Sequence, residues 1–235
     1  MVAMIDWHSH ILPGMDDGSR TVEESLGMVA MQAAQGVGTV IATPHFYAND
    51  EPVETFLNRR QKAFAELQAN LPENSPEILL GAEIRYYPGI SRLPNLSALC
   101  IEGSKLLLLE MPFIHWTESM IRELIDLSGR DGICLILAHI ERYLSLQDKA
   151  VWNRLLENGI LMQTNASFFS AFRTKRRALS LLNQGYIHLL GSDCHNMTSR
   201  PPRLEKAVQI IQKRFGADYI RQINEYGYSL FDIEQ

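Results

Sequence analysis

Two histidines separated by one residue, His8 and His10, are the first side chains of this sequence that could do chemistry. They follow an apolar run, residues 2–5, that predicts a buried strand. Because successive side chains of a strand point to opposite faces, the two imidazoles would point the same way and could hold one metal ion. Asp16 and Asp17 follow within reach of a second ion. A His-x-His pair by itself is more often two histidines in ordinary hydrogen bonds, so the rest of the chain decides.

Histidines and carboxylates recur where later apolar runs end. These further candidates are His45, Glu83, Glu110, His139, Asp193 and His195. Taken singly, each has a structural explanation, such as a helix cap, an ion pair or a satisfied buried histidine. Together with the first group they make five imidazoles and four carboxylates. That many groups on one edge of a fold would be too costly to bury without cations, so metal ions are the simplest compensation.

The elements that must position these groups alternate between short apolar runs and helical patterns, which indicates βα units. Seven strands are predicted, at residues 2–5, 39–42, 78–84 (interrupted at Gly81), 105–110, 133–138, 160–165 and 186–190. Seven helices are predicted. Two begin after caps at Thr21 and Thr117, one runs from a cap at Asp148 to Asn158, one ends near Gln184, and the others span 53–71, 203–215 and 217–224. Residues 86–103 predict an ordered connection with little helix.

A parallel barrel or sheet gathers the carboxyl ends of its strands on one face, which would bring the candidates together. Only the sixth predicted strand ends without an obvious ligand. No linker or internal repeat divides the chain, so we expect a single α/β domain over residues 1–235.

Composition excludes several classes of protein. The net charge of −5 argues against a general nucleic-acid binder. No stretch of eighteen apolar residues and no basic, apolar signal segment occur, so we expect no membrane insertion and a cytoplasmic location. The three cysteines, an odd number spread along the chain, fit a reducing compartment; they are Cys100, Cys134 and Cys194.

The number of candidate ligands predicts more than one ion. Nine donors suit three divalent ions that share carboxylates and keep open positions. Three such ions against four carboxylates leave a surplus positive charge, which matches a phosphate group. A mixed histidine and carboxylate set suits Mn²⁺, Fe²⁺ or Zn²⁺ better than Ca²⁺, and the sequence does not choose among the three.

Several motifs resemble the polymerase-and-histidinol-phosphatase (PHP) superfamily, and within it the bacterial CpsB/CapC-type manganese-dependent protein-tyrosine phosphatases. The motifs are residues 5–14, Asp16-Asp17-Gly18, Thr43-Pro44-His45, Gly81-Ala82-Glu83, residues 139–143, residues 192–196 and Arg200-Pro201-Pro202. The resemblance covers nearly the whole chain. Trp7 departs from it slightly, where an aliphatic residue is expected, and affects no ligand.

The resemblance implies a distorted seven-stranded (β/α) barrel with three Mn²⁺ ions. The implied ligands are His8, His10, Glu83 and Asp193 for one ion, Glu83, Glu110 and His139 for a second, and Asp17, His45 and His195 for a third. Arg142 and Arg200 match the phosphate-binding arginines. The implied partner is the tyrosine-rich tail of a membrane-bound tyrosine autokinase that controls exopolysaccharide or capsule assembly.

The expected reaction is attack on phosphorus by water that the cations activate, with the two guanidinium groups holding the phosphoryl oxygens. Tyrosine phenolate, with a pKa of about 10, is a fair leaving group that needs little help from a general acid. Arg142 has an alternative role as an ion-pair partner of Glu141 or as a charge at a helix end, and Arg200 has a purely structural alternative.

Three other functions stay open. Five residues separate Cys194 from Arg200, as in cysteine-dependent tyrosine phosphatases, although the intervening residues lack the glycine that such a phosphate loop favours. A metal-dependent enzyme could instead act on a small phosphomonoester such as histidinol phosphate. The chain could also be a silent metal-binding module that recognises a partner. A basic cluster, residues 173–177, could receive an acidic phosphorylated tail or be a solvated helix start.

Overall fold

Parallel strands form the centre of the protein in a computed structural model, which describes residues 3–231. In chain order the strands are β1 (Met4–Ser9), β2 (Val37–Ala42), β3 (His45–Phe46), β4 (Glu77–Leu80), β5 (Glu83–Arg85), β6 (Leu106–Glu110), β7 (Cys134–Leu137), β8 (Leu161–Asn165) and β9 (Leu189–Gly191). They pair in the orders β1-β2-β4 and β3-β5-β6-β7-β8-β9. Val2, at the start of the first predicted strand, lies outside the described residues.

The described part of the chain has nine strand segments instead of the seven predicted strands. The predicted strand 39–42 lies within β2, and a short further segment, β3, follows it after Pro44, which has no N–H to continue the ladder. The predicted strand 78–84 breaks at Gly81, as predicted, into β4 and β5. Backbone hydrogen bonds cross both breaks, from Gly81 N to Ala42 O (2.8 Å) and from Glu83 N to Pro44 O (3.0 Å). β2 with β3, and β4 with β5, therefore each occupy one strand position of the barrel, which we call a stave.

The first strand closes the sheet against the last one. Ser9 forms an isolated parallel bridge with Cys194. Asp193 N donates to His8 O at 2.8 Å, and His10 N donates to Cys194 O at 2.9 Å. The result is a distorted seven-stave barrel, so the predicted α/β barrel is confirmed.

Helices surround these strands. They are α1 (Val22–Ala34), α2 (Val53–Gln68), α3 (Glu118–Leu127), α4 (Lys149–Glu157), α5 (Ser167–Ser170), α6 (Lys175–Asn183), α7 (Leu204–Phe215) and α8 (Ala217–Ser229). Thr21 and Thr117 cap α1 and α3 through their side chains, as predicted. Asp148 is the residue before α4, but its side chain makes no capping hydrogen bond, so that detail was wrong. Residues 86–103 contain only two short 3₁₀ turns, as predicted.

Alternation along the strands separates two apolar clusters. On β6, Leu107 and Leu109 pack in the larger cluster with the helices, whereas Leu106 and Leu108 belong to a smaller one shared with Ile136. Glu110 continues the side of Leu106 and Leu108 at the end of β6. The barrel interior is therefore apolar along most of the strand length and polar at the carboxyl ends of the strands. These residues form one α/β domain, and no helix within 3–231 has the length and apolar character to span a membrane.

Candidate metal and phosphate site

All nine predicted ligand residues meet at the carboxyl ends of the strands. Their side chains fall into four groups whose donor atoms lie within 4.8 Å of one another: His10 with Asp17, His45 and His195; His8 with His10 and Asp193; His8 with Glu83 and His139; and His45 with Glu83 and Glu110. A cavity of about 570 Å³ opens above them. The structure thus brings the predicted residues together, and their role as ligands stays a prediction.

Glu83 lies at the meeting point of the imidazoles. Its Oε2 is 3.1 Å from His8 Nε2, 3.3 Å from His10 Nε2 and 3.0 Å from His45 Nδ1. Its Oε1 is 2.7 Å from His139 Nε2. The residue is almost completely buried on β5. A carboxylate with both oxygens in different histidine groups has the geometry of a bridging ligand.

Asp193 completes the first implied set. Its Oδ1 is 3.5 Å from His10 Nε2 and 3.7 Å from His8 Nε2. The two Nε2 atoms of His8 and His10 are themselves only 3.1 Å apart. These atoms surround one small volume, as the His-x-His spacing predicts.

The second and third implied sets also converge. Glu110 Oε1 is 3.6 Å from His139 Nε2. Asp17 Oδ1 is 3.4 Å from His45 Nε2 and 3.3 Å from His195 Nε2. Asp17 is largely exposed, so the third set lies nearest to solvent.

Acceptors behind the histidines fix which ring nitrogen faces the cluster. Nδ1 of His8 lies 3.3 Å from Gln163 Oε1, and Nδ1 of His10 lies 2.7 Å from Asp16 Oδ2. Nδ1 of His195 lies 3.0 Å from the carbonyl oxygen of Asp193. Because each of these partners accepts, we assign the proton to Nδ1 and the lone pair to Nε2.

Two buried ring nitrogens support a cation at this place. Nδ1 of His45 and Nε2 of His195 have no partner with hydrogen-bond geometry among residues 3–231, although carboxylate oxygens of Glu83 and Asp17 lie close to them. Buried polar atoms without partners are costly unless something else satisfies them. The donor set, histidine nitrogens with carboxylate oxygens, is the chemistry of Mn²⁺, Fe²⁺ and Zn²⁺ sites. The residues present therefore fit divalent metal ions.

The pKa directions agree with a site that attracts positive charge. Burial raises the pKa of Glu83, but the imidazoles around it, His8 foremost, outweigh burial and hold that pKa well below its usual range. Asp193 behaves in the same way, with a pKa held low by His8 and His10. Burial lowers the pKa of His195 to about 4, so its ring is neutral near pH 7. Ionised carboxylates and a neutral imidazole are the forms that bind metals.

Backbone geometry turns two of these side chains into the site. His139 follows β7 with φ = 32°, and Asp193 follows β9 with φ = 52°. Both lie in the left-handed region, which costs a residue other than glycine about 1–3 kcal/mol. Gly191 lets β9 lie close to His8 on β1, since a Cβ at position 191 would be 2.6 Å from His8 Cβ.

Asp16 has a different role from the predicted one. Its Oδ2 accepts from His10 Nδ1 and, at 2.8 Å, from His45 N, while its Oδ1 accepts from Gly18 N at 2.8 Å. The expectation that Asp16 reaches a second ion was therefore wrong, because both oxygens point to donors behind the cluster. Asp17 alone faces His45 and His195.

The sixth stave, β8, supplies two residues that sequence reasoning missed. Gln163 Oε1 accepts from His139 N at 2.7 Å, besides facing His8. Asn165 Nδ2 donates to Asp193 Oδ2 at 2.8 Å. The available signal was their spacing, since Leu161, Gln163 and Asn165 share one face of the strand.

Two arginines bracket Asp193 at the mouth of the cavity. Arg142 Nη2 is 2.8 Å from Asp193 Oδ2, and Arg200 Nη2 is 2.9 Å from Asp193 Oδ1. Both side chains are partly exposed and line the cavity. Arg142 also approaches Glu110 at 3.4 Å, whereas Glu141 accepts from Asn165 N. Among the described residues, Arg142 thus forms its ion pairs with ligand candidates and none with Glu141.

The cysteine alternative finds no support in this geometry. Cys194 is fully buried and packs in the larger apolar cluster, and it does not line the cavity. Burial raises the pKa of its thiol far above the usual range, which suppresses the nucleophilic thiolate. Asp193 and His195, on either side of Cys194, face the ligand cluster instead.

The basic cluster, residues 173–177, begins α6. Arg177 Nη2 donates to Leu144 O at 2.8 Å, while Arg173, Lys175 and Arg176 are exposed. Both earlier interpretations, a substrate contact and a solvated helix start, stay open.

Fold and site together define a class of protein: an α/β barrel whose carboxyl edge carries clustered histidine and carboxylate groups that could hold metal ions, beside a cavity lined by Arg142 and Arg200. The sequence model of the family described as "Capsular polysaccharide synthesis, CpsB/CapC" matches residues 4–226. The chain belongs to this family.

Named relatives extend the comparison. The chain is 32% identical over 232 residues to the tyrosine-protein phosphatase YwqE of Bacillus subtilis (strain 168), covering 94% of this chain and 89% of the relative. It is 32% identical over 236 residues to the tyrosine-protein phosphatase CpsB of Streptococcus pneumoniae, covering 94% of each.

Solved structures agree. A chain from the crystal structures of YwqE from Bacillus subtilis and CpsB from Streptococcus pneumoniae, described as unique metal-dependent tyrosine phosphatases, matches with a TM-score of 0.84 and 26% identity. That match covers 99% of this chain and 96% of the other. The phosphotriesterase homology protein of Escherichia coli, solved with phosphate, matches with a TM-score of 0.55 at 12% identity and shows a similar fold.

Proposed function

We propose that this protein is a metal-dependent tyrosine-protein phosphatase. The observation that carries the proposal is the convergence of nine histidine and carboxylate donors beneath a cavity whose mouth holds Arg142 and Arg200. The relatives that match most of the chain are tyrosine-protein phosphatases, which supports the same reaction.

The proposed centre holds three divalent ions, with Mn²⁺ as the favoured metal and Fe²⁺ or Zn²⁺ as alternatives. The proposed ligand sets are His8, His10, Glu83 and Asp193; Glu83, Glu110 and His139; and Asp17, His45 and His195. Glu83 would bridge, as its two oxygens face different histidines. Gln163, Asp16 and Asn165 would orient His8, His10 and Asp193, respectively, through their hydrogen bonds.

Bound divalent ions would supply the Lewis acidity that makes water a nucleophile near neutral pH and would offset the charge of the phosphoryl group. Arg142 and Arg200 would hold phosphoryl oxygens, because each guanidinium carries five N–H donors and only part of each is used by Asp193. Their planar, permanently charged groups suit equatorial oxygens better than lysine would. Hydrolysis would break the bond from phosphorus to the phenolic oxygen and release tyrosine and phosphate.

We propose a phosphotyrosine protein as the substrate, and specifically the tyrosine-rich tail of a bacterial tyrosine autokinase in capsule or exopolysaccharide synthesis. The family description, capsular polysaccharide synthesis, supports that setting. The protein would act in the cytoplasm, where its three free cysteines would stay reduced.

Metal reconstitution with a substrate panel tests this proposal. Purified protein would be stripped with EDTA, analysed for metals, and supplied separately with Mn²⁺, Fe²⁺ or Zn²⁺. Phosphate release would be measured on a phosphotyrosine peptide, histidinol phosphate and p-nitrophenyl phosphate. We expect activity only with metal and the highest kcat/KM on the phosphotyrosine peptide. A preference for histidinol phosphate would favour a small-molecule phosphatase, and metal binding without phosphate release would favour a silent binding module.

A further inference from the structure

A second, smaller cavity of about 240 Å³ lies beside the large one. The two share Arg85, Glu110 and Arg142 in their linings. Met111 and Phe113 add apolar surface to the smaller cavity. A ligand held at the arginines of the large cavity could therefore continue directly into the small one. We call the small cavity the flank pocket.

The apolar wall of the flank pocket is exposed to solvent. Phe113 is 68% exposed, and Ile114 beside it is 51% exposed. Both belong to the segment that follows β6, at the same barrel edge as the metal-ligand candidates. Large apolar side chains exposed next to a functional cavity are typical of a surface that a partner covers.

Hydrogen bonds hold this segment in place. Trp116 Nε1 donates to Pro112 O at 3.2 Å, on one side of Phe113. Gln147 Nε2 donates to Ile114 O at 2.7 Å, and Gln147 Oε1 accepts from Trp116 N at 3.1 Å. The exposed side chain of Phe113 is thus presented by an anchored backbone, which lowers the entropy cost of binding.

Arg85 supplies a positive charge where the two cavities join. Its guanidinium carbon lies 5.8 Å from the ring centroid of Tyr47, in a cation–π arrangement. Tyr47 in turn stacks on His45, with centroids 5.5 Å apart. Arg142 and Arg200 pair with Asp193, whereas Arg85 forms no ion pair within residues 3–231. Its charge is therefore available to an anionic ligand.

We propose that the flank pocket binds the polypeptide next to the phosphotyrosine, with an acidic residue at Arg85 and an apolar side chain on Phe113. The occupant is thus an acidic peptide segment that carries an apolar residue. This inference rests on the proposed function, since the phosphotyrosine would occupy the large cavity. It deepens that function by making part of the specificity depend on sequence around the phosphorylated residue.

The test compares peptides and variants. The peptides carry one phosphotyrosine with either aspartate and leucine or lysine and leucine as neighbours, and p-nitrophenyl phosphate serves as a substrate without flanks. The variants are Arg85→Ala and Phe113→Ala, with Phe172→Ala as the matched control, because Phe172 is 98% exposed and lines neither cavity. Thermal unfolding would verify that each variant is folded.

We expect wild type to have a higher kcat/KM on the aspartate peptide than on the lysine peptide. Arg85→Ala should reduce the ratio of these two values about threefold or more, as for the loss of an exposed charge pair. Phe113→Ala should reduce the ratio of kcat/KM on the acidic peptide to that on p-nitrophenyl phosphate about fivefold to tenfold, through lost apolar contact. Phe172→Ala should leave both ratios as in wild type.

Two other outcomes separate the proposals. If wild type hydrolyses the substrates and both variants show the same kcat/KM ratios as wild type, the flank-pocket proposal is overturned and the phosphatase proposal remains. Wild type that, loaded with Mn²⁺, releases phosphate from none of them would overturn the proposed function and the flank pocket with it.

Discussion

Replacing Asp16 by asparagine tests whether the groups behind the histidines prepare the metal site. Asp16 Oδ2 accepts from His10 Nδ1 at 2.7 Å and from His45 N, and Oδ1 accepts from Gly18 N. An asparagine has only one oxygen, so in either orientation its NH₂ group faces an N–H donor. If that group faces His10, the ring must keep a lone pair on Nδ1 and carry its proton on Nε2, toward the cluster.

The expected magnitude follows from that exchange. Loss of a partner behind a metal-binding histidine typically weakens metal affinity or activity about 10- to 100-fold. That range corresponds to about 1.4–2.7 kcal/mol, since each tenfold change is about 1.4 kcal/mol. We expect Asp16→Asn to fall within it while the protein stays folded.

The assay is calorimetric titration of metal-free protein with Mn²⁺, followed by hydrolysis of a phosphotyrosine peptide at each metal concentration. Asp126→Asn is the matched control, because it makes the same chemical change on the exposed surface of α3. An Asp16→Asn variant that binds Mn²⁺ as tightly as wild type would refute the role assigned to Asp16.

Three further substitutions test other parts of the site. Glu83→Gln should reduce bound metal and lower kcat more than about 100-fold, because it removes the charge shared by several histidines; full metal content by elemental analysis would contradict the bridging role. Arg200→Ala should lower kcat/KM for a phosphotyrosine peptide about 10- to 100-fold, the loss of a charge-assisted hydrogen bond, with partial recovery in Arg200→Lys; kinetics like those of wild type would leave Arg200 a structural role. Cys194→Ser should keep activity that EDTA abolishes, since the thiol is buried away from the cavity; an inactive, folded and metal-loaded variant would revive the cysteine mechanism.

A last substitution concerns packing beneath the site. Gly191→Ala would place its Cβ 2.6 Å from His8 Cβ and 2.7 Å from Gln163 Nε2. We expect the free energy of unfolding to fall by about 1–3 kcal/mol, as in other overpacked cores. Urea unfolding monitored by circular dichroism measures this, and unchanged stability would show that β1 and β9 can separate without cost.

The sequence predicts the strand ends and the convergence of the candidate ligands well, because both signals are strong. Apolar runs mark the staves, and histidines or carboxylates directly after them stand out. His8 and Asp193, for example, are 185 residues apart in the chain and still meet. Parallel topology alone accounts for that meeting, since it places all carboxyl ends on one face.

Other features depend on three-dimensional closure. The short strand β3 was not predicted, because it forms only by pairing with β5. Which of Asp16 and Asp17 faces the ligand cluster depends on the conformation of the turn that carries them, and the sequence does not reveal that conformation. Gln163 and Asn165 escaped notice because neutral polar residues on a strand carry no distinctive signal of their own. The helix α5, Ser167–Ser170, is too short to show a helical period.

Anomalous X-ray diffraction from crystals grown with Mn²⁺ tests the central claim most directly. The account predicts three manganese peaks among the nine donors, with one adjacent to both His8 and His10 and with Glu83 between two of them. Data that show no manganese peak beside Glu83, or ions bound only elsewhere on the surface, would contradict it.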